Sequence, residues 1–290
     1  MSRISYRVTV LDPCNPPNDE VLRHNLGALR EAGLTVDYLP YDVKVGDRLS
    51  NEGIVERSSM LSQALRSEAD YVLPSIGGYG ASDLIRMLEW DFLEEQKPKL
   101  LVGFSDISAL QIALYTRLGW PALHGPMPGS QLWTGKLDVD LLLLLLSGGR
   151  PWKSEIKLHS TVNSGVVSGI LFGGCLSVLT NLIGTPYLPT SLDGHVLFFE
   201  DRNENAGRVL RFWNQWLDSG LFNGVSAVVL GRFNDLSKDR DESWLHQRLV
   251  ERTECPMFFS SDFGHVGLNF PIAIGADAEI SSNTLRWNLN

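Results

Sequence analysis

Over the first 125 residues, short β-like apolar runs alternate with helix-length amphipathic stretches, and this alternation constrains the fold more than any other feature. Runs at 6–11, 34–39, 71–74 and 99–104 read as strands, and stretches at 19–32, 52–66, 81–88 and 106–118 read as helices. Asn18 stands where the first helix needs a cap, and Gly33 stands where that helix must stop. In the last of these helices Ile107, Leu110, Leu114 and Leu118 recur at helical spacing. Consecutive strands separated by helices cannot pair as hairpins, so the pattern predicts a parallel sheet with helices on both faces.

The pattern changes beyond a stretch at 126–164 that Pro126, Pro128, Gly129, Gly148, Gly149 and Pro151 punctuate. The longest apolar run, 141–146, falls inside it; it is too short to cross a bilayer and reads as a core helix. Strands are then expected at 166–171, 196–199, 225–230, 272–274 and 284–287, with one clear helix at 208–217. On that helix Val209, Phe212, Trp213 and Trp216 share a face and read as core rather than as a platform for stacking bases. The expected fold class is α/β: an N-terminal parallel-sheet domain at 1–150, a linker at 151–164 and a smaller β-rich C-terminal domain at 165–290.

Composition narrows the function. Of 290 residues, 34 are acidic and 25 basic, a formal charge of -9. A surface of that sign repels phosphate backbones and anionic lipid, so neither nucleic acid nor membrane is expected as a partner. Arg3 and Arg7 interrupt what would be an apolar leader, so no secretory signal is read. Cys14, Cys175 and Cys255 are odd in number and scattered, which suits a reducing cytoplasm and suggests no disulfide framework. No histidine pair has metal-ligand spacing and no Asp-x-Asp cluster occurs, so neither a metal nor another cofactor is expected.

Chemistry is best placed at Gly103-Phe104-Ser105-Asp106. A serine between a buried strand and the first turn of a helix has its hydroxyl lifted above the sheet edge, beside amides that can hold an oxyanion. Ile107 stands where the strict G-x-S-x-G pattern has its second glycine, and a simple helix cap is the alternative for Ser105. Gly77-Gly78-Tyr79-Gly80 follows another strand at the same carboxyl edge, where open α/β sheets bind ligands. Its spacing fits neither a P-loop nor a dinucleotide fingerprint, and a tight turn is the alternative.

A nucleophilic serine needs a base and a group to orient it. His24, His159 and His246 read as surface residues, His195 starts a strand, and His124 lies in a turn near the sheet edge. His265 sits in the glycine-flanked loop Phe263-Gly264-His265-Val266-Gly267, which can present a side chain. Glu200 closes the apolar run at 196–199, where a charge is costly unless paired; an exposed strand end is the alternative.

Together these segments resemble the murein LD-carboxypeptidases and their relatives, the serine peptidases that confer self-immunity to microcin C. The resemblance runs in order through Gly77-Gly78-Tyr79-Gly80, 99–110, His124-Gly125-Pro126-Met127, Gly173-Gly174, Gly184-Thr185-Pro186, Glu200-Asp201, Phe263-Gly264-His265 and 271–275. It implies a Ser105–Glu200–His265 triad, with an oxyanion hole from backbone N–H groups near Gly78 and Asp106 and substrate contacts at Gly77 and Tyr79. It also implies an N-terminal domain similar to class I glutamine amidotransferases, a small peptide or muropeptide substrate met in cell-wall recycling, and a homodimer. The activity implied is hydrolysis of the amide between an L-configured centre and a terminal D-amino acid; a microcin C-type aminoacyl nucleotide and non-catalytic peptide binding are the alternatives. Ile76, Cys175, Gly207 and Leu210 depart from the family pattern, which usually has Arg at the first of these and Asn at the second.

Overall fold

Two sheets organise the chain in the computed structural model, which describes residues 5–133, 137–159, 165–236 and 240–290. The elements of the first half are β1 (Arg7–Leu11), α1 (Asp19–Glu31), β2 (Thr35–Leu39), α2 (Asn51–Arg66), β3 (Tyr71–Pro74), α3 (Ala81–Ile85), α4 (Trp90–Glu94), β4 (Leu100–Gly103), α5 (Ser108–Leu118) and β5 (Ala122–His124). There follow α6 (Leu137–Gly148), β6 (Trp152–Lys157), β7 (Val167–Cys175), α7 (Leu176–Thr180), β8 (His195–Arg202), α8 (Ala206–Asp218), β9 (Ala227–Asn234), α9 (Glu242–Val250), β10 (Met257–Phe259), β11 (Ile272–Ile274), β12 (Asp277–Ser281) and β13 (Thr284–Leu289).

The first sheet has the order β11-β5-β4-β3-β1-β2 and is parallel except for β11, which runs antiparallel to β5. Its central strands β3 and β4 are buried throughout, as strands covered on both faces must be. Asn18 caps α1 as expected, its Oδ1 accepting from the N–H groups of Glu20 and Val21. The carboxyl ends of β1, β3 and β4 therefore share one edge of this sheet, where the glycine segment and Ser105 lie.

The second sheet, β10-β9-β8-β7-β12-β13-β6, is mixed. Its β10, β9, β8 and β7 are mutually parallel, and β8 is buried from Val196 to Asp201. Its β12, β13 and β6 are antiparallel and alternate buried with exposed positions, the mark of a sheet with one wet face. Val209, Trp213 and Trp216 of α8 are buried, and the two indole N–H groups donate to Thr253 Oγ1 and Thr180 Oγ1 at 3.0 and 2.9 Å. That face is core.

The junction between the sheets is tight where it matters. The end of β7 meets the start of α5: the Cys175 N–H donates to Ser108 Oγ at 3.1 Å. A methyl at Gly174 (φ +145°) would lie 2.6 Å from that same oxygen, so only glycine allows the approach. Cys175 is in register with Glu200 on β8, so the contact that docks β7 on α5 also brings Glu200 toward the Ser105 turn. The strand β11 crosses back to complete the first sheet, stitching the two halves together.

Several expectations are revised. The stretch 151–164 is not a plain linker: β6 lies within it and forms an edge of the second sheet, and its residues 160–164 fall outside the described residues. The helix expected at 141–146 is present as the longer α6, but Leu144 on the apolar run is 66% exposed, so that run is not wholly core. His124 is no turn residue but the buried end of β5, and His246 is no surface residue but half-buried, stacked on Phe259 at 4.4 Å between centroids. Local charge misled in the last case, because Phe259 comes from a distant segment. Nothing in the described residues forms a helix long and apolar enough to cross a membrane.

Candidate active site

Strand β4 ends at Gly103, Phe104 stays extended, and the chain then turns through Ser105 at φ +63° into one 3₁₀ turn leading to α5. A left-handed backbone at a residue with a Cβ costs energy, on the order of 1–3 kcal/mol, and persists only where the surroundings enforce it. Buried Gln111 braces the strand ends just before the turn. Its Nε2 donates to Gly103 O and Leu123 O, both at 2.9 Å, clamping the ends of β4 and β5 beneath the turn. Ser105 Oγ has no hydrogen-bond partner among the described residues and caps neither the 3₁₀ turn nor α5. The hydroxyl is presented, as a nucleophile elbow presents it.

Opposite Ser105 runs the glycine segment. Asn15, just past β1, pins it twice: its N–H donates to Gly77 O at 3.1 Å, and its Oδ1 accepts from the Tyr79 N–H at 3.2 Å. The N–H groups of Gly78 and Asp106 donate to no protein acceptor among the described residues, and both residues line one cavity with Ser105. The Asp106 carboxylate faces away from that task, accepting from the Ala81 N–H at 2.8 Å and from the Cys14 thiol at 3.2 Å. Burial raises its pKa and that of Cys14.

The second sheet supplies a histidine–carboxylate pair. Glu200 is fully buried at the end of β8, and His265 Nδ1 lies 2.5 Å from its Oε2. A carboxylate can only accept, so Nδ1 carries the proton and Nε2 is left to accept one. Burial works against the imidazolium, but the charge of Glu200 and its hydrogen bond outweigh it, and the His265 pKa is raised. The His265 loop is held by Asn269, whose Oδ1 accepts from the Gly264 N–H at 3.1 Å while its own N–H donates to buried Asp138 at 2.8 Å. Phe104 packs against the imidazole at 4.9 Å between centroids, joining the serine turn to the histidine. Behind them His124 sits edge-on to Phe104 and Phe198, and burial lowers its pKa to about 4, so it stays neutral.

Ser105, His265, Gly77, Gly78 and Asp106 all line a cavity of about 760 Å³. Glu200 is not on the lining; it stands behind His265, its Oε2 against the imidazole Nδ1. Tyr79 is also outside the lining, 53% exposed with its hydroxyl 3.4 Å from Asp83, while its N–H is held by Asn15 Oδ1. Ile76 and Cys175, both departures from the family pattern, lie on the lining, and Cys175 Sγ is 3.5 Å from Asp201 Oδ1. Burial, then Glu200's charge, raises the Asp201 pKa to about 6, against the hydrogen bond it receives from the Ser177 N–H at 2.7 Å.

Sequence reasoning missed the braces. Arg57 is fully buried and spends its donors on Arg48 O (3.0 Å), Pro13 O (2.9 Å), Gly80 O (3.1 Å) and Asp83 (3.2 Å), fastening the end of the glycine segment and the turn after β1 to α2. Its signal was legible: Arg57 falls on the same helical stripe as the buried Leu61, Ala64 and Leu65, where a charge needs partners. Asn15, Asn269 and Asp138 left no such sign.

Comparison with known proteins bears on this arrangement. Residues 8–125 match the model of the LD-carboxypeptidase N-terminal domain and residues 168–280 that of the LD-carboxypeptidase C-terminal domain. A Streptomyces coelicolor protein carrying a carboxypeptidase name is 30% identical over 293 residues, covering 96% of this chain and 91% of the relative. The murein tetrapeptide carboxypeptidase of Pseudomonas aeruginosa is 29% identical over 303 residues, covering 98% and 96%. The crystal structure of muramoyltetrapeptide carboxypeptidase from Oxalobacter formigenes superposes with a TM-score of 0.82 at 26% identity, covering 97% of this chain and 99% of that one.

Proposed function

The chain belongs to the LD-carboxypeptidase family, and from that premise we propose that Ser105, Glu200 and His265 form the catalytic triad of a serine carboxypeptidase acting on muropeptides. The observation that carries the reading is the pairing of two features in one cavity. One is a serine at φ +63° with an unengaged hydroxyl; the other is a histidine whose Nδ1 is spent on a buried carboxylate, leaving Nε2 as the base.

In this mechanism His265 Nε2 takes the Ser105 proton as Oγ attacks the carbonyl carbon of the scissile amide. The negative charge on the carbonyl oxygen is met by the N–H groups of Gly78 and Asp106, which are unspent and fixed before substrate arrives. The imidazolium, stabilised by Glu200, then protonates the departing nitrogen, and the terminal D-amino acid leaves. Water, deprotonated by the same nitrogen, attacks the acyl-enzyme and regenerates Ser105. His265 must be neutral to start the cycle, so its raised pKa puts the acid limb of kcat/KM above the ordinary histidine range.

The substrate reading is a tetrapeptide cut before its terminal D-amino acid, carried over from the names of the relatives. A cytoplasmic site in cell-wall recycling agrees with three cysteines that are all free and with the acidic surface. The homodimer rests on the family resemblance, and light scattering on the purified chain decides it. Product analysis by mass spectrometry on L,D- and D,D-linked tetrapeptides and an aspartyl adenylate analogue tests the activity. Release of the terminal D-amino acid from the L,D-peptide alone is expected. Cleavage of the nucleotide alone would replace muropeptide by an aminoacyl nucleotide as the substrate.

A further inference from the structure

We propose that Arg202 is the specificity residue that grips the free carboxylate at the end of the substrate. The inference rests on the carboxypeptidase reading above and names the contact that reading leaves open. A carboxypeptidase must tell a chain end from a chain interior, and what distinguishes the end is a carboxylate next to the scissile bond. A binding site for that group needs a cation with donors to spare.

The cavity is otherwise poorly suited to an anion. Asp106 and Asp201 line it and Glu200 stands just behind His265. Arg202 is the one lysine or arginine on the lining among the described residues. It ends β8, two residues past Glu200, so the strand that orients the base also carries the cation. Its guanidinium is weakly engaged. Nε contacts Asp235 at 3.4 Å, between side chains that are 49% and 58% exposed, and the two terminal nitrogens bond to nothing among the described residues. Its backbone is fixed instead, the N–H donating to Asp201 Oδ1 at 2.8 Å.

The other arginines near the site are in the opposite condition. Arg57 has every nitrogen committed beneath the glycine segment, and Arg48 donates to the carbonyls of Cys14 and Asp12; neither lines the cavity. Those two hold backbone. Arg202 keeps a planar fork free, the geometry that takes a carboxylate through two parallel hydrogen bonds. A surface pair with Asp235 contributes little, so giving it up for a substrate carboxylate costs little.

The test compares the L,D-tetrapeptide acid with the same peptide bearing a C-terminal amide, in the wild type and in Arg202→Gln and Arg202→Lys. Wild type should prefer the acid by on the order of 10- to 100-fold in kcat/KM, as loss of a charge-assisted pair implies. Arg202→Gln should lose that preference through a raised KM on the acid, and Arg202→Lys should restore part of it. Labelling of Ser105 by a fluorophosphonate, which has no carboxylate, should proceed at the wild-type rate in both variants when measured on the alkaline side of the acid limb, because the Arg202 charge lowers the His265 pKa. An acid preference that survives Arg202→Gln overturns the proposal, and so does a parallel fall in peptide turnover and probe labelling, which would make Arg202 structural. A loss confined to an aspartyl adenylate would assign the fork to phosphate and overturn the carboxylate. Wild type that cuts neither peptide sinks the carboxypeptidase reading itself, and this inference with it.

Discussion

The two sheets contribute to the cavity in different currencies. The parallel sheet offers backbone: a serine turn at φ +63°, the unspent N–H groups of Gly78 and Asp106, and a glycine segment clamped by Asn15 and Arg57. The mixed sheet offers side chains: Glu200 and His265, 65 residues apart in sequence, joined by a 2.5 Å contact, with Arg202 beside them. Backbone devices are set by a few neighbouring residues and fixed before substrate binds, which suits the nucleophile and the oxyanion. Proton transfer needs a group whose pKa is tuned, and burial plus a charged partner from elsewhere in the chain does the tuning. The difference predicts that changes on the parallel side act on rate without moving the pH profile, whereas changes on the mixed side move both.

The largest effect tests the parallel side. Ser105→Ala should fold as wild type and lower kcat on the L,D-tetrapeptide by on the order of 10⁴ to 10⁶. Turnover within tenfold of wild type would remove Ser105 from the mechanism. Combining it with His265→Ala should add almost nothing, because a nucleophile and its base act as a unit. Additive losses in that double variant would break the link between the two sheets.

Glu200→Gln comes next and probes the mixed side. Loss of the orienting carboxylate should reduce kcat by roughly 10² to 10⁴. The sign of its pH effect follows from the cause of the shift. Glu200 raises the His265 pKa, so removing its charge lowers that pKa and moves the acid limb of kcat/KM to lower pH. A limb that stays in place would mean that a group other than His265 sets it.

Gly77→Ala returns to the parallel side with a smaller expected loss. A methyl there would lie 3.1 Å from Ser105 Cβ and 3.3 Å from its Oγ, pressing on the nucleophile while the Glu200–His265 pair is untouched. A fall of about 10- to 100-fold in kcat is expected, with the acid limb unmoved. A shifted limb would show that the two sides are not separable. The smallest effect is expected from Asp201→Asn. The charge of Asp201 also raises the His265 pKa, behind that of Glu200, so its loss should move the limb in the same direction but less far than Glu200→Gln does. An equal or larger displacement, read from the same pH profile, would reverse the order of the two carboxylates.

Legibility follows the same division. The strands and helices around β4 were readable from periodicity because each is fixed by its own apolar pattern, and the placement of Ser105 followed from that strand–helix boundary. Whether Ser105 capped a helix or was presented was not readable, since the answer lies in its backbone angle of φ +63° and in a hydroxyl that caps neither turn nor helix, both set by how the strand meets α5 in three dimensions. Likewise Glu200 announced itself as a charge at the end of an apolar run, but its partner could be named only through family resemblance. His124 and His246 were misplaced because the rings that bury them belong to segments far away in sequence.

By itself, then, the sequence determined the alternating architecture of the first half, the apolar strand that ends at Glu200, and the glycines that permit close approach. Those are consequences of residue type over a few positions. Tertiary structure decided the rest: that Gly174 and Cys175 dock on Ser108 and carry Glu200 toward Ser105, that Asp138 and Asn269 hold the His265 loop, and that Arg57 has every nitrogen committed while Arg202, touching Asp235 through Nε alone, keeps its two terminal nitrogens uncommitted among the described residues. The physical reason is that burial and hydrogen-bond partnership depend on what arrives from elsewhere in the chain, and those two quantities set a side chain's charge, orientation and availability for chemistry.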